Sequence, residues 1–231
     1  MGTDLQIPGL FVAGTDTEVG KTYVACLIAR TCVEQGLRVA VYKPVLSGRS
    51  ADGHRHDDDF RLWDAAGRPG RYEDVCPQKF TAPLAPHLAA RQEGRSVDEH
   101  RLVKGIAPWR KDYDLVIVEG AGGLMSPISD SLYVADLAAE FGLPLIVVAP
   151  NRLGVINQTL QTLIAACTFR DGLSVAGVVL NEIDAESPDE SCSLNADQLQ
   201  LHCVPPLLGC VEHAQTGVLD AIDWLALAAS D

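Results

Sequence analysis

The chain reads LFVAGTDTEVGKT over residues 10–22, and this stretch decides the fold. It opens with an apolar run that ends in glycine, a pattern typical of a buried strand followed by a tight turn. A helical pattern follows at once over residues 23–35. A glycine-bounded turn that opens onto a helix presents unpaired backbone N–H groups and a positive dipole end, which suits a triphosphate. The stretch therefore predicts a phosphate-binding loop, or P-loop.

The spacing inside this loop differs from the commonest pattern. Five residues, rather than the usual four, separate Gly14 from Gly20, so the loop is a variant. We expect Lys21 to hold the outer phosphates of the triphosphate and the Thr22 hydroxyl to bind Mg²⁺. A chance GKT at the start of a helix is the alternative, but the strand before it and the helix after it favour nucleotide binding.

Short apolar runs alternate with helical patterns along the whole chain. The predicted strands are residues 10–14, 38–43, 115–119, 143–149, 175–180 and 207–211. The predicted helices are residues 20–35, 58–66, 97–107, 132–141, 154–169, 195–202 and 218–229. This alternation predicts an α/β fold with a doubly wound, mostly parallel sheet flanked by helices, and the length fits a single domain over residues 1–231. Residues 49–59 and 68–86 have the composition of long loops, which are usually functional or mobile.

Charge and composition argue against several classes of protein. The net charge of −13 opposes binding to nucleic acid or to an anionic membrane surface. The longest apolar stretch, residues 143–150, is too short to cross a bilayer. Seven cysteines, without a CxxC pair, fit reduced thiols in the cytosol. We therefore expect a soluble, cytoplasmic protein without a nucleic-acid or membrane partner.

Two charged residues stand at the ends of predicted strands, where ligands bind in sheets of this kind. Glu119 ends an apolar run and is followed by glycines, so we expect it to support Mg²⁺ directly or through water. A helix-capping role is the alternative. Lys43 ends the second strand and can stabilise charge that develops during phosphoryl transfer. A solvated lysine at a strand end is equally compatible with the sequence.

Three segments, taken in order, resemble the dethiobiotin synthetases: GTDTEVGKT at 14–22, YKPVLSG at 42–48 and VEGAGG at 118–123. The resemblance covers nearly the whole chain and weakens after Asp184. It implies that 7,8-diaminononanoate and CO₂ react with ATP and Mg²⁺ to close a cyclic urea, giving dethiobiotin, ADP and phosphate. In that family a substrate amine captures CO₂ as a carbamate, which attacks the γ-phosphate. The second amine then displaces phosphate from the mixed anhydride.

The resemblance also implies the site residues. The catalytic residues are Thr17, Lys21 and Lys43. The residues that bind the nucleotide and its metal are Thr17, Glu18, Val19, Gly20, Lys21, Thr22, Asp58, Glu119, Gly120, Ala121, Gly122, Asn181, Val211, Glu212 and His213. The substrate-binding residues are Thr17, Lys43, Ser47, Gly154, Val155, Ile156 and Asn157. The metal ligands are Thr22, Asp58 and Glu119.

Several of these assignments leave alternatives open. Asp58 is chosen from three successive aspartates, so Asp57 or Asp59 could be the ligand instead. Asn181 stands where the family reads adenine, although a turn residue would also fit. The helix start at residues 154–157 presents free N–H groups for the carboxylate of the substrate. Related synthetases receive this helix start from a partner subunit, which implies a homodimer, whereas an ordinary helix cap is the alternative.

Two segments depart from the family pattern. Glu212 and His213 stand where related proteins commonly have a proline and an aromatic residue, so contacts to the base are open here, and with them the choice of nucleotide. The loop before residue 58 is rich in His and Asp, but His54 and His56 lack a nearby Cys or a third spaced His. They therefore fit solvated loop residues better than a zinc site.

Three rival functions share parts of this pattern. Partitioning ATPases of the MinD and ParA type carry an early lysine in their P-loop, whereas Thr15, Asp16 and Thr17 fill that stretch here. Amidotransferase-type ligases need a glutaminase module, for which 231 residues leave no room. A nucleotide-binding regulatory module without turnover is the third, and the intact lysines and Glu119 argue against it.

Overall fold

The computed structural model describes residues 7–49, 54–183 and 190–229. Its strands are β1 (Gly9–Gly14), β2 (Val39–Tyr42), β3 (Val45–Leu46), β4 (Gln78–Lys79), β5 (Leu115–Gly123), β6 (Leu145–Pro150), β7 (Val175–Asn181) and β8 (Leu207–Val211). Its α-helices are α1 (Lys21–Glu34), α2 (Asp58–Ala65), α3 (Tyr72–Val75), α4 (Pro86–Gln92), α5 (Glu99–Lys104), α6 (Val134–Phe141), α7 (Val155–Thr168), α8 (Cys192–His202) and α9 (Trp224–Ala228). Single 3₁₀ turns lie at His54–His56 and Ala107–Trp109.

The main sheet has the strand order β2-β5-β1-β6-β7-β8, and every pairing in it is parallel. β1, β2 and β6 are buried along their whole length, because helices cover both faces of the sheet. The predicted parallel α/β fold is confirmed. Chain order reverses on either side of β1, and ligands bind at the carboxyl ends of the strands around such a reversal.

Most predicted strand and helix bounds hold to within a few residues, with two larger differences. β5 runs on to Gly123, beyond the predicted end at 119, because Gly123 pairs with Gly14 after an irregularity in the register. The helix predicted at 218–229 is only Trp224–Ala228. The carboxylate of Asp223 accepts a hydrogen bond from the backbone N–H of Ala226 and so caps the helix at this later point.

The stretch predicted as a long loop at 68–86 is more structured than its composition indicates. It contains α3 and β4, and β4 pairs in parallel with β3 to form a second, two-stranded sheet. In that sheet Leu46 stands opposite Lys79. Two-residue strands have no periodicity that a sequence could reveal. The first long loop ends at Asp58, where α2 begins, and its residues 50–53 lie outside the described part of the chain.

The hydrophobic core lies against both faces of the main sheet. Its largest buried side chains include Trp109, Trp224, Tyr42 and Phe11. Within the described ranges, no helix combines the length and apolar composition that crossing a membrane requires.

Candidate active site

The P-loop connects β1 to α1 at the centre of the sheet. Gly20, directly before α1, has a left-handed backbone with φ of 88°. A Cβ at this position would stand 2.1 Å from Nδ2 of Asn181, so both the backbone and the close approach require glycine. The Lys21 ammonium donates a hydrogen bond to the Asp16 carbonyl at 2.9 Å. The backbone of the loop thus folds back and contacts the Lys21 side chain.

Lys43 lies at the centre of a cluster of charges in which Lys43 and Glu119 are buried and the Asp58 side chain is 37% exposed towards the cavity. Its Nζ is 2.6 Å from Oε1 of Glu119 and 3.1 Å from Oδ2 of Asp58. The Thr22 hydroxyl donates a second hydrogen bond to the same Glu119 oxygen at 2.7 Å. The other carboxylate oxygen of Glu119, Oε2, is buried and has no hydrogen-bond partner among the described residues. Three predicted metal ligands and one predicted catalytic lysine therefore meet at one place.

Burial and mutual attraction set the charges in this cluster. Burial lowers the pKa of Lys43, but the carboxylates of Glu119 and Asp58 outweigh it and raise that pKa above its ordinary value. Burial likewise opposes ionisation of Asp58, yet the Lys43 ammonium and the Thr22 hydroxyl hold its pKa below the usual range. Lys43 is thus a fixed positive charge. For Lys21, burial dominates over the nearby carboxylates and lowers the pKa to about 8.

A cavity of about 630 Å³ opens over this cluster. The predicted site residues that line it are Thr17, Glu18, Gly20, Lys21, Thr22, Lys43, Ser47, Asp58, Glu119, Gly120, Ala121 and Gly122. Residues that sequence reasoning missed also line it, among them Tyr23, Arg61, Ser126 and residues 83–86. Arg61 stands three positions after Asp58 on α2, so the helical period could have revealed it. Residues 83–86 lie in the stretch predicted as a long loop at 68–86, whose composition indicated function or mobility but did not point to single residues.

The three successive aspartates have separate environments. Asp58 lines the cavity and contacts Lys43, whereas Asp57 is buried with its Oδ2 3.9 Å from Nε of Arg49. Asp59 is fully buried and pairs with Lys79. This arrangement favours Asp58 as the metal ligand.

The histidines before α2 are a separate question. His56 is exposed, and the side chain of His54 is not among those that the structure describes. Among the described side chains, no three His, Cys, Asp or Glu residues come together as a metal-binding group.

The residues predicted for base recognition lie at the ends of β7 and β8. The Asn181 amide donates to the carbonyl of Val19 in the P-loop at 3.2 Å. Its Oδ1 is buried without a hydrogen-bond partner in the described ranges. Val211 pairs with Asn181 across the sheet, while Glu212 and His213 follow it and are exposed. Asn181 is therefore tied to the loop, and the two exposed residues stay a prediction.

The helix start at residues 154–157 does not line the cavity of its own chain among the lining residues described. Gly154 and Asn157 are exposed, whereas Val155, the first residue of α7, is buried. Gly154 has φ of 94° and nothing within 4 Å of an added Cβ. The predicted site residues are thus divided between the cavity and this separate surface, and the substrate-binding role of residues 154–157 stays a prediction.

Comparison with solved structures shows the fold. A ParA family ATPase from Chlorobium tepidum matches with a TM-score of 0.53 and 14% identity, covering 90% of this chain and 85% of that one. The signal recognition particle receptor FtsY from Elizabethkingia anophelis also matches with a TM-score of 0.53, at 16% identity. That match covers 98% of this chain and 65% of the receptor chain. Identities this low carry the P-loop architecture alone.

Sequence relatives give the family. A family model described as an AAA domain matches residues 8–217. The ATP-dependent dethiobiotin synthetase BioD of Rhodopirellula baltica is 45% identical over 214 residues, covering 87% of this chain and 82% of that protein. The BioD protein of Bacillus subtilis is 38% identical over 201 residues, covering 87% and 85%. These relatives match along most of their length, and the chain belongs to the family of ATP-dependent dethiobiotin synthetases.

Proposed function

We propose that this chain is a dethiobiotin synthase: an ATP-dependent ligase that forms carbon–nitrogen bonds by closing a cyclic urea on 7,8-diaminononanoate with CO₂. The observation that carries the proposal is the cluster of charges around the buried Lys43, which shares one cavity with the P-loop. A P-loop alone fits many activities, whereas a fixed cation among metal-type carboxylates suits the transfer of a phosphoryl group to an anionic acceptor. Family membership supplies the substrates.

The residues present fit Mg²⁺. The Thr22 hydroxyl and the carboxylates of Asp58 and Glu119 are the oxygen ligands that this ion prefers. Oε2 of Glu119 is a buried carboxylate oxygen without a partner in the described ranges, which a cation would satisfy. These three residues would hold the ion, directly or through water, and it would neutralise charge on the phosphate oxygens.

The protein contributes position and charge to the proposed reaction. Lys21 is placed to hold the outer phosphates, and Thr17 and Ser47 line the space beside them for the diamine. The carbamate formed from one amine and CO₂ attacks the γ-phosphate and releases ADP. The second amine then attacks the mixed anhydride and expels phosphate. Lys43 stays charged throughout, so it can stabilise the carbamate and the charge that develops during transfer.

The nucleotide is proposed to extend from the P-loop towards β7 and β8. Asn181 already contacts the P-loop backbone and keeps one buried acceptor, Oδ1, without a partner in the described part of the chain. An adenine amino group is a suitable donor for that oxygen. Val211, Glu212 and His213 would then flank the base. ATP is the expected nucleotide.

A homodimer in the cytoplasm completes the proposal. Residues 154–157 lie outside the described lining of their own cavity, at the start of α7, a 14-residue helix. The Val155 N–H donates to the Arg152 carbonyl at 3.1 Å, but the N–H groups of the first turn have no acceptor within the helix and suit an anion. We infer that each subunit offers this helix start to the substrate carboxylate in the cavity of its partner. A reducing compartment suits the seven cysteines.

The reaction is tested by phosphate release from Mg-ATP with bicarbonate, with and without 7,8-diaminononanoate, together with mass detection of the cyclic urea. Diamine-dependent phosphate release that matches the urea formed is the expected result. ATP hydrolysis that is indifferent to the diamine, with no urea, would overturn the synthase and favour a switch-type ATPase.

The shared site is tested by mixing two inactive variants. Lys43→Gln disables the cavity of its own chain, whereas Asn157→Glu places a repelling charge on the helix start that serves the partner. Randomly mixed dimers should recover up to about one quarter of wild-type activity, because half of the dimers are mixed and each holds one intact site. Lack of recovery in mixed dimers would place residues 154–157 outside the catalytic site.

A further inference from the structure

A second charge pair lies behind the cluster around Lys43, and the Lys79 side chain in this pair is 18% exposed. Asp59 follows Asp58 on α2 but points away from the cavity and is fully buried. Its Oδ2 forms an ion pair with the Nζ of Lys79. Its Oδ1 has no hydrogen-bond partner in the described part of the chain. We name this pair the Asp59–Lys79 clamp.

Lys79 lies on the small sheet that carries the opposite wall of the cavity. It belongs to β4 and stands opposite Leu46 of β3. The Phe80 N–H donates to the Leu46 carbonyl at 2.8 Å, and Ser47 follows directly. The Lys79 ammonium also lies 3.2 Å from the Tyr72 hydroxyl and 4.3 Å from the centre of that ring. Lys79 is therefore held from two sides.

The clamp joins two walls that meet around the reacting groups. One wall is the start of α2, which carries Asp58, and the other is β3, which leads to Ser47. Lys43 is fixed in the same region, because its backbone N–H donates to the carbonyl of Val75, at the end of α3, at 2.8 Å. The clamp is a direct side-chain link between α2 and the small sheet.

Stability alone explains this pair poorly. Taking two charges out of water costs about as much as their attraction returns, and apolar pairs of similar volume often replace them without loss. A charge pair does impose a direction and a fixed distance that apolar side chains do not. The carboxylate of Asp58 must hold its place to within about 0.5 Å for productive binding of a metal. The position of the clamp suits that requirement.

We propose that Asp59 and Lys79 are positioning residues that fix Asp58, and with it the magnesium site, relative to Lys43 and Ser47. The inference rests on the proposed function, because that function makes Asp58 a metal ligand. The clamp touches neither the nucleotide nor the diamine. Its loss should therefore weaken Mg²⁺ binding and leave the binding of metal-free nucleotide unchanged.

The test is titration calorimetry on the full chain. The double variant Asp59→Leu with Lys79→Met removes both charges and keeps an apolar fit, and Lys79→Arg keeps the charge. Mg²⁺ is titrated into protein saturated with a non-hydrolysable ATP analogue, and the analogue alone is titrated in EDTA. The double variant should raise the dissociation constant for Mg²⁺ by about tenfold or more. Its affinity for the analogue in EDTA should match wild type, and Lys79→Arg should largely retain Mg²⁺ binding.

Thr31→Val is the matched control for a general loss of stability. It removes the hydrogen bond of the buried Thr31 to Asp220 at 2.8 Å, in the second half of α1 and away from the cavity, so Mg²⁺ binding should not change. A folded double variant with wild-type Mg²⁺ affinity would overturn the clamp. Should that variant fail to fold, Lys79→Gln is measured in its place, and the same result from it would overturn the clamp equally.

The proposed function is tested separately by the wild-type protein. Cyclic urea from wild type, together with unchanged Mg²⁺ binding in the variants, overturns only the clamp. Absence of urea from wild type overturns only the synthase reaction, because the calorimetric comparison needs no diamine. In an active enzyme, the double variant should also need about tenfold more Mg²⁺ for half-maximal turnover, since activation follows binding.

Discussion

An ion pair stands at each end of the segment over which β2 and β5 pair. Before the strands begin, Arg38 and Asp114 pair at 2.8 Å, with side chains that are 63% and 35% exposed. Directly after the last pair, Tyr42 with Val118, Lys43 and Glu119 form an ion pair at 2.6 Å, with side chains that are 4% and 1% exposed. The same two strands thus carry the same kind of pair in opposite surroundings.

The difference teaches that burial, rather than pairing, marks the functional end. Water and salt screen the exposed pair, and such pairs contribute little to stability. The buried pair has lost its hydration and is accompanied by a second carboxylate, Asp58. That arrangement is costly for folding but supplies a fixed positive charge beside oxygen ligands. The comparison predicts that equivalent substitutions at the two ends have very different effects.

The largest difference is expected between Lys43→Gln and Arg38→Gln. Each removes one positive charge from the β2 side. Lys43→Gln should lower turnover by about 10²- to 10³-fold, the effect of removing one group that stabilises developing charge, while ATP still binds through the P-loop. Arg38→Gln should leave turnover unchanged. Steady-state kinetics and equilibrium binding of ATP measure both, and wild-type turnover in Lys43→Gln would remove Lys43 from the catalytic residues.

A smaller difference is expected between Glu119→Gln and Asp114→Asn. Each replaces the carboxylate of one pair by an amide of the same shape. Glu119→Gln removes charge from the proposed metal site and should weaken Mg²⁺ binding about 10- to 100-fold, whereas Asp114→Asn should not affect it. Titration of Mg²⁺ in the presence of a non-hydrolysable nucleotide compares them. Equal affinities would show that Glu119 is only a structural partner of Lys43.

The lowered pKa of Lys21 predicts that ATP binding at the buried end depends on pH. Burial, followed by the repulsion from Lys43, lowers its pKa to about 8 against the attraction of nearby carboxylates. Phosphates prefer the ammonium form, so below that pH the lysine is ready to bind, and above it binding must take up a proton. ATP affinity should therefore fall by up to about tenfold per pH unit above pH 8.

Lys21→Arg provides the control for this titration, because arginine keeps its charge over the whole range. Binding of ATP to this variant, measured from pH 7 to 9.5, should vary less with pH than binding to wild type. The same steep fall in both proteins would assign the pH dependence to another group.

Much of the fold follows from the sequence, because buried parallel strands are continuous apolar runs with glycines and charges at their ends. Gly14, Lys43, Glu119 and Asn181 each end or follow such a run, and their place at one edge of the sheet is a consequence of parallel pairing. Their roles came from the resemblance of three motifs, since a strand-end lysine alone fits a solvated charge equally well. The cavity supports the choice for Lys43 by burying it.

Contacts between distant loops could not be read from the sequence. The pairing of Leu46 with Lys79 involves two-residue strands without periodicity. The three successive aspartates are equivalent as letters, and only the helix geometry of α2 directs Asp58 towards Lys43 and Asp59 towards Lys79. The helix start at residues 154–157 shows the same limit, because its position outside the described lining of the cavity depends on how α7 packs.

The smallest effect is expected from Asp114 itself, through stability and pH. Hydrogen bonds from the Arg38 side chain and backbone lower the pKa of Asp114 to about 2, from an ordinary value of 3.8. A depressed folded-state pKa stabilises the folded protein above the unfolded-state value, so this contribution is present above about pH 4 and is lost as the pH falls to 2. Denaturant titrations of wild type and Asp114→Asn should differ slightly at pH 6 and converge towards pH 2. A difference that stays constant over this range would mean that a contact independent of ionisation, rather than the charge of Asp114, carries the effect.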